Sequence, residues 1–232
     1  MKYNYKNHEI ELFQDTVPPY CREEFDNLGK IVCLSRGGGS IGDKHEFKMN
    51  MFKGWEDFKN HLIKKEKAAI ILPVYMLDHS GISLSTTPFN DPWDSGQIGY
   101  IYATREDTLC TFGKWPLLSR RVLTKTLRER ATEILKCEVK ALDQYLNGDV
   151  WGFCITGPGE EPLDSCSGFY GKEYCKEEAQ NLVDFHWGEI QKEIAIIDGT
   201  KDEDLPLLIN KEWEHKYTED YFKRRFNDGK GS

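Results

Sequence analysis

The chain has 232 residues, 39% of them hydrophobic and 12% aromatic, and its formal net charge is −8. A chain of this length buries a core without disulfides or metals, and its aromatic content excludes a disordered protein. No apolar run reaches the roughly 20 residues of a membrane-spanning helix, and the polar start of the chain, with His8 and Glu9, is unlike a secretory signal. These features predict a folded cytoplasmic protein without membrane contact.

Hydrophobic periodicity predicts the secondary structure in chain order. The helix over residues 119–148 has the clearest apolar stripe and ends at Gly148, a residue type common at helix C-termini. Residues 68–77 are the most apolar segment, and the short turn ending in Gly81 predicts an antiparallel hairpin with residues 82–86. We further expect strands over 3–13, 30–35, 97–104, 149–156 and 163–170, and helices over 54–67, 176–193 and 211–226.

These elements predict an α+β fold with a mainly antiparallel sheet and helices packed on one side, because the strands cluster and are linked by short turns. We expect a core over residues 1–171 and an acidic helical C-terminal extension of the same domain over residues 172–232. Residues 157–232 hold 18 acidic and 10 basic residues, and the rest of the chain is neutral. Such acidity predicts a basic protein partner and no direct nucleic-acid binding, although it also serves solubility.

The chain has seven cysteines, an odd number, and no CxxC pair. Cysteines in apolar stretches pack as small hydrophobic residues, and this set predicts reduced thiols without disulfides.

The most polar loop region contains the residue types of a hydrolytic site. His79 would act as a base oriented by Asp78, and Ser80 or Ser83 would supply a nucleophile. The enzyme site would be built from Asp78, His79, Asp91 and Asp94. Adjacent residues on an extended chain point apart, however, so Asp78 is poorly placed to orient His79. No GxSxG sequence is present, and Asp, Ser and Gly are also ordinary turn formers. Turn structure is therefore the competing interpretation.

Four other patterns have weaker functional interpretations. The glycine-rich stretch over residues 36–40 lacks the GK[ST] of a phosphate-binding loop, and the basic residues 223–225 adjoin acidic ones, as on a solvated helix face. Two sets of residue types suit metals, but neither has the close pairs usual in zinc sites, and we predict no metal and no cofactor. The two sets are Asp78, His79, Asp91 and Asp94, and Cys154, Cys166, Cys175 and His186.

Four segments carry a resemblance to a known group of proteins. They are Gly42-Asp43-Lys44-His45, residues 72–106 (LPVYMLDHSGISLSTTPFNDPWDSGQIGYIYATRE), residues 143–153 (DQYLNGDVWGF) and residues 164–171 (DSCSGFYG). In these segments the chain resembles an uncharacterised family of small proteins found mainly in phage genomes, prophages and gut metagenomes. The resemblance implies a phage setting and assigns no catalytic residue.

The sequence leaves two classes of function open. The first is a phage-encoded inhibitor of a host defence system, of the anti-CRISPR or anti-restriction type, that binds a host protein, such as a nucleic-acid-binding effector, without catalysis. The alternative is a small phage hydrolase acting on a nucleotide or nucleic acid. For the inhibitor, acidic and aromatic residues of the last third would contact the partner. These residues are Glu177, Glu178, Trp187, Asp202, Glu203, Asp204, Trp213, Tyr217 and Tyr221.

Overall fold

The computed structural model describes residues 1–34, 41–112, 122–157 and 162–197. The chain divides into two compact units: one combines Met1–Asp15 with Trp151–Ser232, and the other is Thr16–Val150. We expected a core over residues 1–171 and an extension over residues 172–232. The first unit instead contains both ends of the chain, because the N-terminal strands share a sheet with the strands around residues 150–170. None of the helices in the described part of the chain is long and apolar enough to span a membrane.

The first unit is a four-stranded sheet with one long helix. Strands β1 (Lys2–Tyr5), β2 (His8–Gln14), β7 (Val150–Thr156) and β8 (Pro162–Tyr170) lie in the order β1-β2-β7-β8. Helix α4 (Lys172–Ile197) places Cys175, Ala179 and Val183 at intervals of four residues, so they form one stripe. This stripe joins a buried cluster with alternate residues of β2 and β7, namely Ile10, Leu12, Phe153 and Ile155.

The second unit is a four-stranded antiparallel sheet with helices on both faces. Its strands β3 (Lys30–Cys33), β4 (Ala68–Asp78), β5 (Ile82–Ser85) and β6 (Ser95–Thr104) lie in the order β3-β6-β4-β5. Helix α1 (Trp55–Lys64) packs Phe58 and Leu62 against Tyr100 and Tyr102. On the opposite face Ile101 meets Leu135 of α3 (Lys125–Leu146) beside Gly29, where an added Cβ would lie 2.3 Å from Leu135.

The predicted α+β class and the antiparallel sheets are confirmed. The helices of the second unit, however, pack on both faces of its sheet and not on one side as expected. The hairpin of residues 68–77 and 82–86 is confirmed as β4 and β5, and Gly148, with a φ of 65°, follows the end of α3. The single strand over residues 3–13 was wrong, because Lys6 and Asn7 have positive φ and turn the chain into a hairpin. Helix α2 (Arg105–Phe112) was missed because it lacks an apolar stripe. The expected helix over 211–226 lies outside the described residues.

The second unit is built around a buried guanidinium. The Arg22 side chain is 2% exposed and forms ion pairs with Asp43 at 2.7 Å and with Glu138 of α3 at 2.8 Å. It also donates to the side chain of Asn27 and to the carbonyl oxygen of Gly29. The two carboxylates accept further hydrogen bonds from the backbone N–H groups that precede and begin β3. One charge therefore joins a loop, a strand and a helix.

Replacing Arg22 with methionine is expected to destabilise the protein by about 3–5 kcal/mol, because Asp43 and Glu138, whose side chains are only 18% and 10% exposed, would lose their shared cation. Chemical unfolding monitored by circular dichroism measures the loss. The matched control is Lys44→Met, since Lys44 is 96% exposed and pairs with Glu23 at the surface. Equal unfolding free energies for the two variants would contradict the central role of Arg22.

Candidate functional site

The candidate catalytic residues lie where two turns meet at one end of the second unit's sheet. Asp78 ends β4 and Ser95 begins β6, and the register pairs Leu77 with Ser95. The backbone N–H of Asp78 donates to the carbonyl oxygen of Asp94 at 2.9 Å, which joins the turns. We call the two turns, residues 78–81 and 91–95, the Trp93 surface.

The carboxylate of Asp91 shapes the second of these turns. Its Oδ1 accepts hydrogen bonds from the backbone N–H groups of Trp93 at 3.0 Å and Asp94 at 3.1 Å. The hydroxyl of Ser95 donates to the carbonyl oxygen of Asp91. The N–H of Asp94 and then that of Trp93 lower the pKa of the Asp91 carboxyl, because both stabilise its charged form. Asp91 therefore serves as a turn former.

His79 and Asp94 form a hydrogen-bonded pair across the two turns. The distance from His79 Nδ1 to Asp94 Oδ2 is 2.7 Å, and the side chains are 69% and 42% exposed. This hydrogen bond and the negative charge of Asp94 raise the pKa of His79. The structure thus brings together His79 and Asp94, while Asp78 contributes a backbone contact and Asp91 caps its own turn. The pair lies on an exposed surface, where water has free access to the imidazole.

Trp93 is the most exposed large hydrophobic side chain of the described residues, at 92%. It stands between Pro92 and Asp94 in the turn that Asp91 shapes. The Trp93 surface contains three aspartates and His79 as its ionisable residues. The surface therefore presents an indole to solvent among mostly acidic ionisable residues.

The predicted partner contacts of the last third fall into three groups. Glu177 is exposed and Glu178 half-buried on α4, so both remain accessible. Trp187 is only 7% exposed, and its ring meets the ring of His8 edge-on. Its indole is therefore part of the interior and is not available to contact a partner. The others lie outside the described residues: Asp202, Glu203, Asp204, Trp213, Tyr217 and Tyr221.

The remaining candidate sites gain no geometric support. All seven cysteines are free, and Cys175 is fully buried, which raises the pKa of its thiol to about 11. Among the described residues, which include both proposed ligand sets, no group of three or more His, Cys, Asp or Glu is arranged to hold a metal ion. The glycine-rich stretch over 36–40 and the basic residues 223–225 lie outside the described residues.

Several polar residues in the segments that carry the phage resemblance have structural roles. Asp43 binds Arg22, and a ring nitrogen of His45 lies 2.9 Å from the carbonyl oxygen of Cys33. Asp143 of α3 accepts a hydrogen bond from the backbone N–H of Leu84 in β5 at 2.6 Å. Sequence reasoning missed these roles because each joins residues distant along the chain, and no local pattern marks them.

Comparisons with protein-family models, curated proteins and solved structures give no significant match. The phage resemblance therefore stays a prediction, and the functional argument rests on the chemistry of the Trp93 surface.

We expect His79 to titrate above the ordinary histidine pKa of about 6.5, because its protonated form gains the Asp94 carboxylate. The contribution of the charged pair to the turns is complete below the ordinary pKa and is lost as pH rises through the raised value. An NMR titration of the His79 ring protons measures the midpoint. Asp94→Asn should lower it, with Asp91→Asn as a comparison of a more distant charge. A midpoint that Asp94→Asn leaves unchanged would disprove the pairing in solution.

Proposed function

We propose that this protein is a phage-encoded inhibitor of a host defence system, of the anti-CRISPR or anti-restriction type, that works in the host cytoplasm by binding a host protein without catalysis. The observation that carries the proposal is the exposed indole of Trp93 on two hydrogen-bonded turns. The resemblance to phage proteins supports the biological setting.

The Trp93 surface suits protein binding for two reasons. Tryptophan is among the residues most enriched at the energetic centres of interfaces, and a turn that is already ordered loses less entropy on binding. The carboxylates of Asp78, Asp91 and Asp94 attract a basic groove, and such grooves bind phosphates in nucleic-acid-handling proteins. The preferred partner is therefore a nucleic-acid-binding defence effector, whose groove the acidic turns would occupy in place of phosphates.

A hydrolase is the second candidate, and the hydrogen bond between His79 and Asp94 is what favours it. A carboxylate that fixes an imidazole is half of a familiar catalytic arrangement. The exposure of His79 argues against it, since a water-filled surface weakens the electrostatic effects on which catalysis depends. Asp91, the further carboxylate proposed for such a site, already accepts two backbone hydrogen bonds. Binding therefore explains the Trp93 surface better than catalysis.

The test is protection of phage in bacterial strains that differ only in one CRISPR–Cas or restriction system. We expect the wild-type protein to raise the efficiency of plating on at least one strain, and Trp93→Ala to reduce that protection. Loss of an interface-centre tryptophan costs about 2 kcal/mol or more, which is about thirtyfold in affinity. Affinity is then measured by calorimetry against the purified effector of the protected strain.

Two controls separate the alternatives. Phe185→Ala removes another exposed aromatic side chain, 63% exposed on α4, and should leave protection unchanged. His79→Gln should weaken binding modestly in an inhibitor, whereas a hydrolase would lose nearly all activity with His79→Gln and tolerate Trp93→Ala. Failure to protect any strain of a panel covering the known system types would overturn the inhibitor proposal.

A charge-reversal variant decides between the two acidic surfaces. It replaces Glu177, Glu178, Asp202, Glu203 and Asp204 with lysine. If the Trp93 surface makes the contact, this variant should retain affinity within about twofold, because its substitutions lie outside the contact. A large loss of affinity together with a weaker salt dependence of association would instead assign the contact to the last third.

A further inference from the structure

The second unit contains a cavity at the end of its sheet that lies away from the Trp93 surface. The cavity has a volume of about 330 Å³. Residues 27–30, which lead into β3, form one wall, and Glu66, Tyr102, Thr104 and Asp107 complete it. Binding sites for small molecules usually measure about 300–1,000 Å³, so this volume suits a small ligand. The Trp93 surface does not contribute to this cavity, so ligand binding here is independent of the proposed function.

The wall formed by residues 27–30 is held from behind by the Arg22 network. Arg22 donates to the side-chain oxygen of Asn27 at 2.8 Å and to the carbonyl oxygen of Gly29 at 2.6 Å. Glu138 accepts the backbone N–H groups of Leu28 and Gly29 at 2.7 and 3.1 Å. A wall with this many charge-assisted hydrogen bonds keeps its shape without a ligand. The cavity is thus preorganised, which lowers the entropic cost of filling it.

The side of the cavity formed by Glu66, Tyr102, Thr104 and Asp107 is acidic and rich in hydrogen-bonding groups. Tyr102 is 4% exposed, and its burial, followed by the charges of Glu66 and Asp107, raises the pKa of its phenol to about 12. The negative charges of Glu66 and Asp107 disfavour ionisation of the Tyr102 phenol, and the protonated phenol forms a hydrogen bond with Glu66. The hydroxyl of Thr104 donates to Asp107 Oδ2 at 2.6 Å. This side of the cavity favours a ligand with a positively charged nitrogen.

Lys30 adds the opposite charge to the same cavity. It lies directly opposite Tyr102 in the register of β3 and β6, so both side chains project from the same face of the sheet. The Lys30 side chain is exposed and lies at the rim. A purely cationic ligand would meet repulsion from Lys30, and a purely anionic ligand would meet repulsion from Glu66 and Asp107. A ligand that carries both charges satisfies both groups.

We infer that this cavity binds a small zwitterion of the free α-amino-acid type, with its ammonium group toward Glu66 and Asp107 and its carboxylate toward Lys30. The carboxylates and Lys30 would thus recognise the two opposite charges of the ligand within a preformed cavity. It differs from an acidic patch because the buried phenol of Tyr102, the backbone wall of residues 27–30 and the cation of Lys30 line the same cavity.

The test is a series of NMR titrations of the full-length, isotope-labelled protein with each of the 20 common amino acids. At least one is expected to shift the amide signals of Gly29, Thr104 and Asp107 in a saturable manner. Putrescine and succinate, which each carry charge of one sign, should bind at least about tenfold more weakly than that amino acid, because each meets a repelling charge.

Variants then test the two charges separately. Glu66→Gln and Lys30→Met should each raise the dissociation constant for that amino acid about tenfold or more. Glu106→Gln, next to Asp107 on α2, and Lys44→Met are the matched controls, and both should bind as the wild type does. The proposal is overturned if no amino acid shifts these signals. It is also overturned if putrescine binds best and Lys30→Met strengthens its binding, since that outcome defines a simple cation site.

Discussion

The burial of one positive charge organises the second unit. An unpaired guanidinium at 2% exposure would be prohibitively costly, so the fold is stable only when Asp43 and Glu138 reach Arg22 together. These carboxylates come from the loop after β3 and from α3, and they also accept the backbone N–H groups of Leu28, Gly29 and Ile31. The same requirement therefore closes the unit and shapes the cavity wall.

Polar residues of the second unit divide into those that complete the fold and those that lie on the Trp93 surface. Asp43 and Asp143 accept hydrogen bonds from Arg22 and from the backbone of Leu84 within the second unit. Both residues lie in the segments that carry the phage resemblance. Asp91 and Asp94 shape turns and leave the neighbouring indole of Trp93 in solvent. The proposed binding function depends on this exposed indole, because it is the largest apolar surface that the two turns present to solvent.

The two candidate sites lie at opposite ends of strand β6. The Trp93 surface lies at its Ser95 end, and the cavity lies at its Thr104 end. At about 3.3 Å per residue the two sites are separated by roughly 30 Å, which exceeds the distance over which exposed charges interact at physiological salt. Substitutions at one end are therefore expected to leave the electrostatics of the other unchanged, and each site is testable alone.

Local patterns in the sequence determined most of the elements. The apolar run of residues 68–77, the turn ending in Gly81 and the stripe of α3 are properties of neighbouring residues, and each was predictable from periodicity and turn chemistry. The candidate turn residues His79 and Asp94 were recognisable by type, but their hydrogen bond was not, because it joins two turns 15 residues apart. Tertiary structure alone decided that β1 and β2 share a sheet with β7, that Trp187 is buried, and that Arg22 meets Glu138 across 116 residues. Such contacts depend on which surfaces the whole chain can bury at once, and no short segment of sequence contains that information.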